Sequence, residues 1–285
     1  MNWIISSLIM FTSSVILYLF VRRSSLDKHS SQYNNLAMFL PPLLIYFPLG
    51  LAAGQNFNLN LIQFVSIVFI SIFLSYAGNI FSLKSIEFAP NPGYSLVISK
   101  SYVVFTTAVS VLFLNAELSF RKAAAIFIIV IFSYFIMLSH KPLEKRVNMV
   151  WIPLALGAFF CWGLLSLFSK HLFNDGVSVV VFLTYMNLIV SYCIVVEMFR
   201  KKLSYEIIRK NPWDFIFIGI FSTAFNLFLF QAVKDAPNIG YVNAINASSI
   251  SAITLMAILI FKDEFSKRKL LGIAGVTFGL LLLIL

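Results

Sequence analysis

The sequence predicts an all-α membrane protein of ten transmembrane helices, arranged as two inverted five-helix repeats. Three observations carry this. The 285 residues are 60% hydrophobic and only 11% charged, against roughly 45–50% and about 25% in a soluble domain. Apolar stretches recur along the whole chain at lengths near the ~20 residues that a helix needs to cross the hydrocarbon core. Finally, residues 89–122 (APNPGYSLVISKSYVVFTTAVSVLFLNAELSFRK) recur without a gap as residues 236–269 (APNIGYVNAINASSISAITLMAILIFKDEFSKRK), an offset of 147 from Ala89 to Ala236. The identities fall on Pro90/Pro237, Asn91/Asn238, Gly93/Gly240, Tyr94/Tyr241, Glu117/Glu264, Ser119/Ser266, Arg121/Arg268 and Lys122/Lys269. A shared apolar pattern would match on Leu and Ile, so these identities mark an internal duplication.

The apolar segments place spans near 2–21, 34–54, 61–83, 91–114, 121–139, 149–168, 178–199, 213–233, 238–261 and 268–285. The first five map onto the second five, giving repeat units 1–140 and 148–285. The first span has no basic residue ahead of it and is followed by Arg22 and Arg23, so it is expected to be a retained helix and not a cleaved signal peptide. An odd number of spans per repeat turns the second repeat over in the bilayer, an arrangement whose binding sites lie near the membrane midplane.

The net charge of +10 would suggest nucleic acid in a soluble protein; here the basic residues sit between apolar segments and set orientation. Of the 21 Lys and Arg residues, 16 fall in loops 1–2, 3–4, 5–6, 7–8 and 9–10 and 4 in the other loops, with Lys100 inside a span. The first set of loops is therefore expected in the cytoplasm, with both termini outside. Cys161 and Cys193 lie in apolar segments and form no disulfide framework, and His29, His140 and His171 lack metal-ligand spacing. No cofactor, no metal and no catalytic group is expected, and no nucleic acid.

The hallmark regions carry a resemblance. Residues 97–122 (VISKSYVVFTTAVSVLFLNAELSFRK), 245–275 (INASSISAITLMAILIFKDEFSKRKLLGIAG) and 155–173 (ALGAFFCWGLLSLFSKHLF, with Trp162-Gly163) resemble the EamA family of the drug/metabolite transporter (DMT) superfamily. The family's Glu is present as Glu117 and Glu264, while the Gly usually preceding it is Ala116 and Asp263. The resemblance implies two inverted bundles around a central cavity and carriage of small solutes. The first-helix Glu that small multidrug relatives use for proton coupling has no counterpart in spans one and six.

Residues shared by both repeats describe the frame. Glu117 and Glu264 stand two residues before the expected N-caps, Ser119 and Ser266, and four before Arg121 and Arg268, a pattern that supports a helix start. Pro41, Pro42 and Pro48 have no repeat counterparts and imply a packed kink or a hinge in span two. Gly275 and Gly279 form a small-xxx-small face for helix packing.

Unpaired polar and aromatic positions are the better site candidates, because an asymmetric solute must break the pseudo-symmetry. Lys100 leads. Its repeat partner is Ala247, and a charge at that depth costs roughly 2.5–3.5 kcal/mol on insertion, so it is expected to face a cavity and anchor a carboxylate or phosphate. The alternative is an ion pair with Glu197. Tyr102, Trp162, Asn243 and Asn246 join Lys100 as substrate-binding candidates, with the repeat-paired Asn79 and Asn226, and with Tyr76 and Tyr185 behind. Ser95, Ser99, Tyr102 and Thr106 share one face of span four, from which Lys100 diverges. Together these predict a secondary transporter, not an enzyme, moving a small polar metabolite such as an amino acid or a related anionic or zwitterionic solute. It would sit as a multi-pass monomer in the inner (plasma) membrane. A flippase for a lipid-linked substrate is the alternative within transport; a membrane-embedded transferase or a sensor is the alternative outside it.

Overall fold

The computed structural model describes residues 2–27, 30–89, 92–137, 149–203, 212–262 and 266–285. These build helices α1 (Trp3–Leu26), α2 (Ser31–Ala52), α3 (Leu61–Phe69), a π-helical segment (Ile70–Tyr76), α4 (Ala77–Phe88), α5 (Pro92–Lys100), α6 (Tyr102–Leu114) and α7 (Phe120–Met137). The second half supplies α8 (Trp151–Asn174), α9 (Val179–Arg200), α10 (Pro212–Asp235), α11 (Ile239–Phe261) and α12 (Lys267–Ile284). No strand occurs among the described residues. Span three is thus α3, the π segment and α4 run together, and span four is α5 plus α6.

Nine spans among the described residues are long and apolar enough to cross a membrane. The tenth, α12, opens with Lys267, Arg268 and Lys269 and continues as the apolar run 270–285. A basic first turn with an apolar remainder is what a span beginning at a charged interface presents.

Several helix ends follow directly from residue chemistry. Ser30 and Asn60 cap α2 and α3, and Asn60 forms a reciprocal capping box with Gln63. Ser119 and Ser266 accept from the backbone N–H of Lys122 and Lys269, the duplicated caps expected for α7 and α12. At the preceding helix ends, Asn115 and Lys262 are repeat partners, and both turn the chain in the left-handed region at φ 49° and 56°. The expected support of Glu117 by Arg121 does not form. Residues 115–119 are not helical, so the four-residue spacing no longer brings the two side chains together, and no ion pair joins them among the described residues. Glu264, Pro90, Asn91, His29 and His140 lie outside the described residues.

Packing repeats with the sequence. The contact of α1 with α10 has its repeat counterpart in α8 with α4, and α2–α9 and α7–α12 each join a span to its own repeat partner. Gly272, Gly275 and Gly279 let α12 lie against Phe132, Ile136 and Ile129 of α7, so the small-residue face is used inside the molecule. The prolines of α2 also serve packing. Pro42 has no N–H to bond the Met38 carbonyl, and Ser222 of α10 donates to that oxygen instead, at 2.7 Å. Gly219 makes room for Pro41, since a methyl there would fall 2.5 Å from its Cβ. One contact lacks its twin. The ninth span, α11, packs on α6 and α7, whereas the related contact of span four with α12 is at most sparse among the described residues.

Candidate functional site

The site is best built from the break in span four. Ser101 interrupts the helix with φ −65° and ψ −3°, and its N–H is shared between the carbonyls of Val97 and Ile98. Residues two apart on a regular helix point about 200° apart. Across this break, Lys100 and Tyr102 both reach Trp162: the ammonium lies 4.8 Å from the ring centroid, and the Tyr102 ring meets it edge-on at 6.2 Å. A lysine over an indole face is a favourable cation–π pair, worth most where water is excluded. The divergence of Lys100 from the polar stripe is resolved in the same place. Ser95 bonds Ser85 of α4, while Ser99 turns back onto the Leu96 carbonyl of its own helix.

Trp162 is placed by small residues on either side. A methyl at Gly163 would fall 2.5 Å from Phe105 of α6, and one at Gly78 of α4 would fall 2.9 Å from Cys161 and 3.3 Å from the Trp162 Nε1. Spans three, four and six therefore close around the indole. The π segment contributes too, because the carbonyl of Phe73 accepts from the Cys161 thiol at 3.4 Å. Such π insertions concentrate at functional sites.

On the facing side, α11 supplies two amides. Asn246 lies beside the Tyr102 hydroxyl. Asn243 is buried and donates to Thr106 at 3.1 Å while accepting from Ser166 at 3.5 Å, which ties spans nine, four and six together. Lys100, Tyr102, Trp162 and Asn246 thus form one constellation, and Asn243 lies one step behind it. No acidic partner of Lys100 is found among the described residues. Glu197 instead accepts from Lys201 at 2.6 Å, Gln32 at 3.2 Å and Tyr76 at 3.0 Å.

The remaining candidates lie elsewhere. Tyr76 belongs to the Glu197 cluster. Tyr185 donates to the Phe57 carbonyl and packs edge-on against Phe57 and Phe64, anchoring the loop before span three. Asn226 bonds Ser222 within its own helix, and Asn79 is half-buried without a side-chain hydrogen bond among the described residues. Neither asparagine bridges helices among the described residues. Lys100 keeps partial access though it lies deep in the bundle, and it lines a cleft of about 20 Å³ with Val97, Ser101, Ser133, Tyr134 and Ala247. That is room for about one water, so a metabolite fits only if spans four and five part. Tyr18 of α1, beside Tyr102, was not among the expected residues. Its repeat partner is Leu165, so the test that selected Lys100 against Ala247 would also have selected it.

The comparisons with known proteins agree with this architecture. Residues 149–285 match the EamA-like transporter family. The second repeat is thus an EamA-like transporter unit, of a family whose members are multi-pass membrane proteins and transporters, not enzymes, as a rule. Among solved structures, a crystal structure of a protein with 13% sequence identity superposes at a TM-score of 0.77 and covers 98% of both chains, which shows the fold alone. No curated protein matches the chain.

Proposed function

We propose that this protein is a secondary carrier for a small polar solute that is anionic or zwitterionic, such as an amino acid, and that it works by alternating access in the plasma membrane. The observation that carries the solute class is Lys100. It is a cation deep in the bundle with no acidic partner among the described residues, set over the Trp162 indole that Tyr102 meets edge-on from the same span. Intramembrane charges of this kind mark substrate paths by default. A carboxylate arriving at Lys100 would meet donors from Tyr102 and Asn246, while Trp162 offers an apolar wall.

Alternating access is supported by a closure that Tyr241 makes and that its repeat partner Tyr94 does not make among the described residues. Tyr241 at the start of α11 donates to the Glu117 carbonyl at 2.5 Å, and Asn238 reaches the same oxygen at 3.4 Å. The Lys122 ammonium stands 4.6 Å from the Tyr241 ring centroid, and Trp3 packs at 6.0 Å. The repeat partner Tyr94 is 39% exposed and packs on Trp151 instead. Two repeats in different conformations give one closed and one looser side, and exchanging those conformations exchanges the sides. Residues 1–140 and 148–285 would be the units that exchange.

A metabolite panel scanned by thermal shift on the purified protein, followed by counterflow in liposomes, tests the assignment. Lys100→Ala should abolish uptake of every hit that stabilises the wild type; unchanged affinity and flux would remove Lys100 as the anchor. A second reading, a flippase for an amphiphile with an anionic head, is favoured by Tyr134, 44% exposed on the outside of α7 at the rim of the Lys100 cleft. Scrambling of a labelled lipid without counterflow of soluble hits would select it.

A further inference from the structure

A cavity larger than the Lys100 cleft lies elsewhere among the described residues. A groove of about 480 Å³ runs between the π segment and α9, lined by Tyr76 on one wall and by Tyr192, Val196, Glu197, Arg200 and Lys201 on the other. It shares no lining residue with the Lys100 cleft.

The groove is graded along its length. Tyr192 and Arg200 are eight residues apart on one helix, about 12 Å along its axis. The Tyr192 end is open to the side: Tyr192 is 70% exposed on a membrane-spanning helix, so it faces hydrocarbon. The Arg200 end closes the span and leads into Lys201 and Lys202, the start of the loop richest in Lys and Arg. Glu197 lies between the two ends, yet its charge is taken up by Lys201, Gln32 and Tyr76. With Lys201 balanced by Glu197, Arg200 leaves the groove one net positive charge at the depth of the lipid headgroups.

We propose that this groove holds an anionic phospholipid of the leaflet on the basic side, with its phosphate on Arg200 and an acyl chain along Val196 and Tyr192. The guanidinium suits a phosphate because it can donate two parallel hydrogen bonds. Basic residues at the end of a span draw anionic lipid. A soluble phosphate would use only the Arg200 end and leave the open apolar part of the groove unexplained. The lipid bridges span seven and the π segment of span three, which meet here through the Tyr76–Glu197 hydrogen bond.

Native mass spectrometry of the full chain in mild detergent, titrated with phosphatidylglycerol or phosphatidylcholine of matched chains, tests this. The expected result is retention of phosphatidylglycerol over phosphatidylcholine. Arg200→Gln should weaken that retention about fivefold, the weight of one basic residue against an anionic lipid surface. The exposed Lys202→Gln, outside the groove lining, should change it less than about twofold, since an exposed charge away from the contact is screened. Equal retention of the two lipids, equal effects of the two substitutions, or displacement of the lipid by millimolar inorganic phosphate would each overturn the proposal. None of these readouts depends on transport, so the result stands apart from the role of Lys100.

Discussion

Asn243 joins three spans with one amide, donating to Thr106 and accepting from Ser166 in a fully enclosed position. Removing it leaves Thr106 and Ser166 bonded only within their own helices, to the Val103 and Trp162 carbonyls, and loses two interhelix bonds at about 0.5–1.5 kcal/mol each. Asn243→Ala should therefore lower the thermal midpoint in detergent clearly more than Asn226→Ala, whose bonds stay within one helix. Lys100 works in the opposite sense. If it is retained for binding, the cost of its charge is a cost to the fold, and Lys100→Met should raise the midpoint while abolishing solute-induced shifts. A fall in the midpoint would instead show that the contact with Trp162 serves stability. Lys100, Tyr102, Trp162 and Asn246 were all legible in the sequence as unpaired polar or aromatic positions. Their convergence was not legible, because the break at Ser101 that turns Lys100 toward Trp162 involves neither Gly nor Pro.

Among the elements, α2 shows how a helix carries prolines without losing its partners. The Met38 carbonyl that Pro42 leaves unbonded is satisfied from α10 by Ser222. Ser222→Ala should cost about 1–3 kcal/mol as an orphaned buried acceptor. Pro42→Ala restores the missing N–H, so the serine should matter far less in that background. A double-mutant cycle on the unfolding free energy measures the coupling, and additive effects would mean that Met38 finds another donor. The prolines announced an irregularity in the sequence, but the residue that answers it lies in another repeat, at a separation no local pattern spans. The duplicated caps at Ser119 and Ser266 were visible for the converse reason, since cap chemistry is local. The ion pair expected between Glu117 and Arg121 failed because a helical spacing was applied to a loop.

For the whole molecule, the difference between the repeats resides in contacts more than in composition. Tyr241 and Tyr94 are the same residue at equivalent positions, yet one is 1% exposed and latched to Glu117, and the other 39% exposed on Trp151. Tyr241→Phe removes the hydroxyl from the latch. It should loosen that side, lengthening spin-label distances between the 115–119 loop and the start of α11. Unchanged distances would make the latch incidental. The ten spans and their pairing followed from apolar length and duplication, which are properties of long stretches. Which repeat is latched depends on side-chain placement that identical residues do not disclose.

The π segment has one further effect, on the duplication itself. Closing bonds over five residues instead of four adds a residue to the turn and rotates everything beyond it by on the order of one helical step, about 100°. Within span three that rotation falls between Phe69 and Ala77, while α10, its repeat counterpart, runs unbroken from Pro212 to Asp235. The 147-residue alignment remains gapless on paper, yet past this point the same helix pairs meet with side chains turned by about one residue. Asn79 and Asn226 are homologous letters in non-homologous places, which accounts for their unlike surroundings. A change of helix type without a sequence insertion thus lets two halves that agree in letters differ in direction.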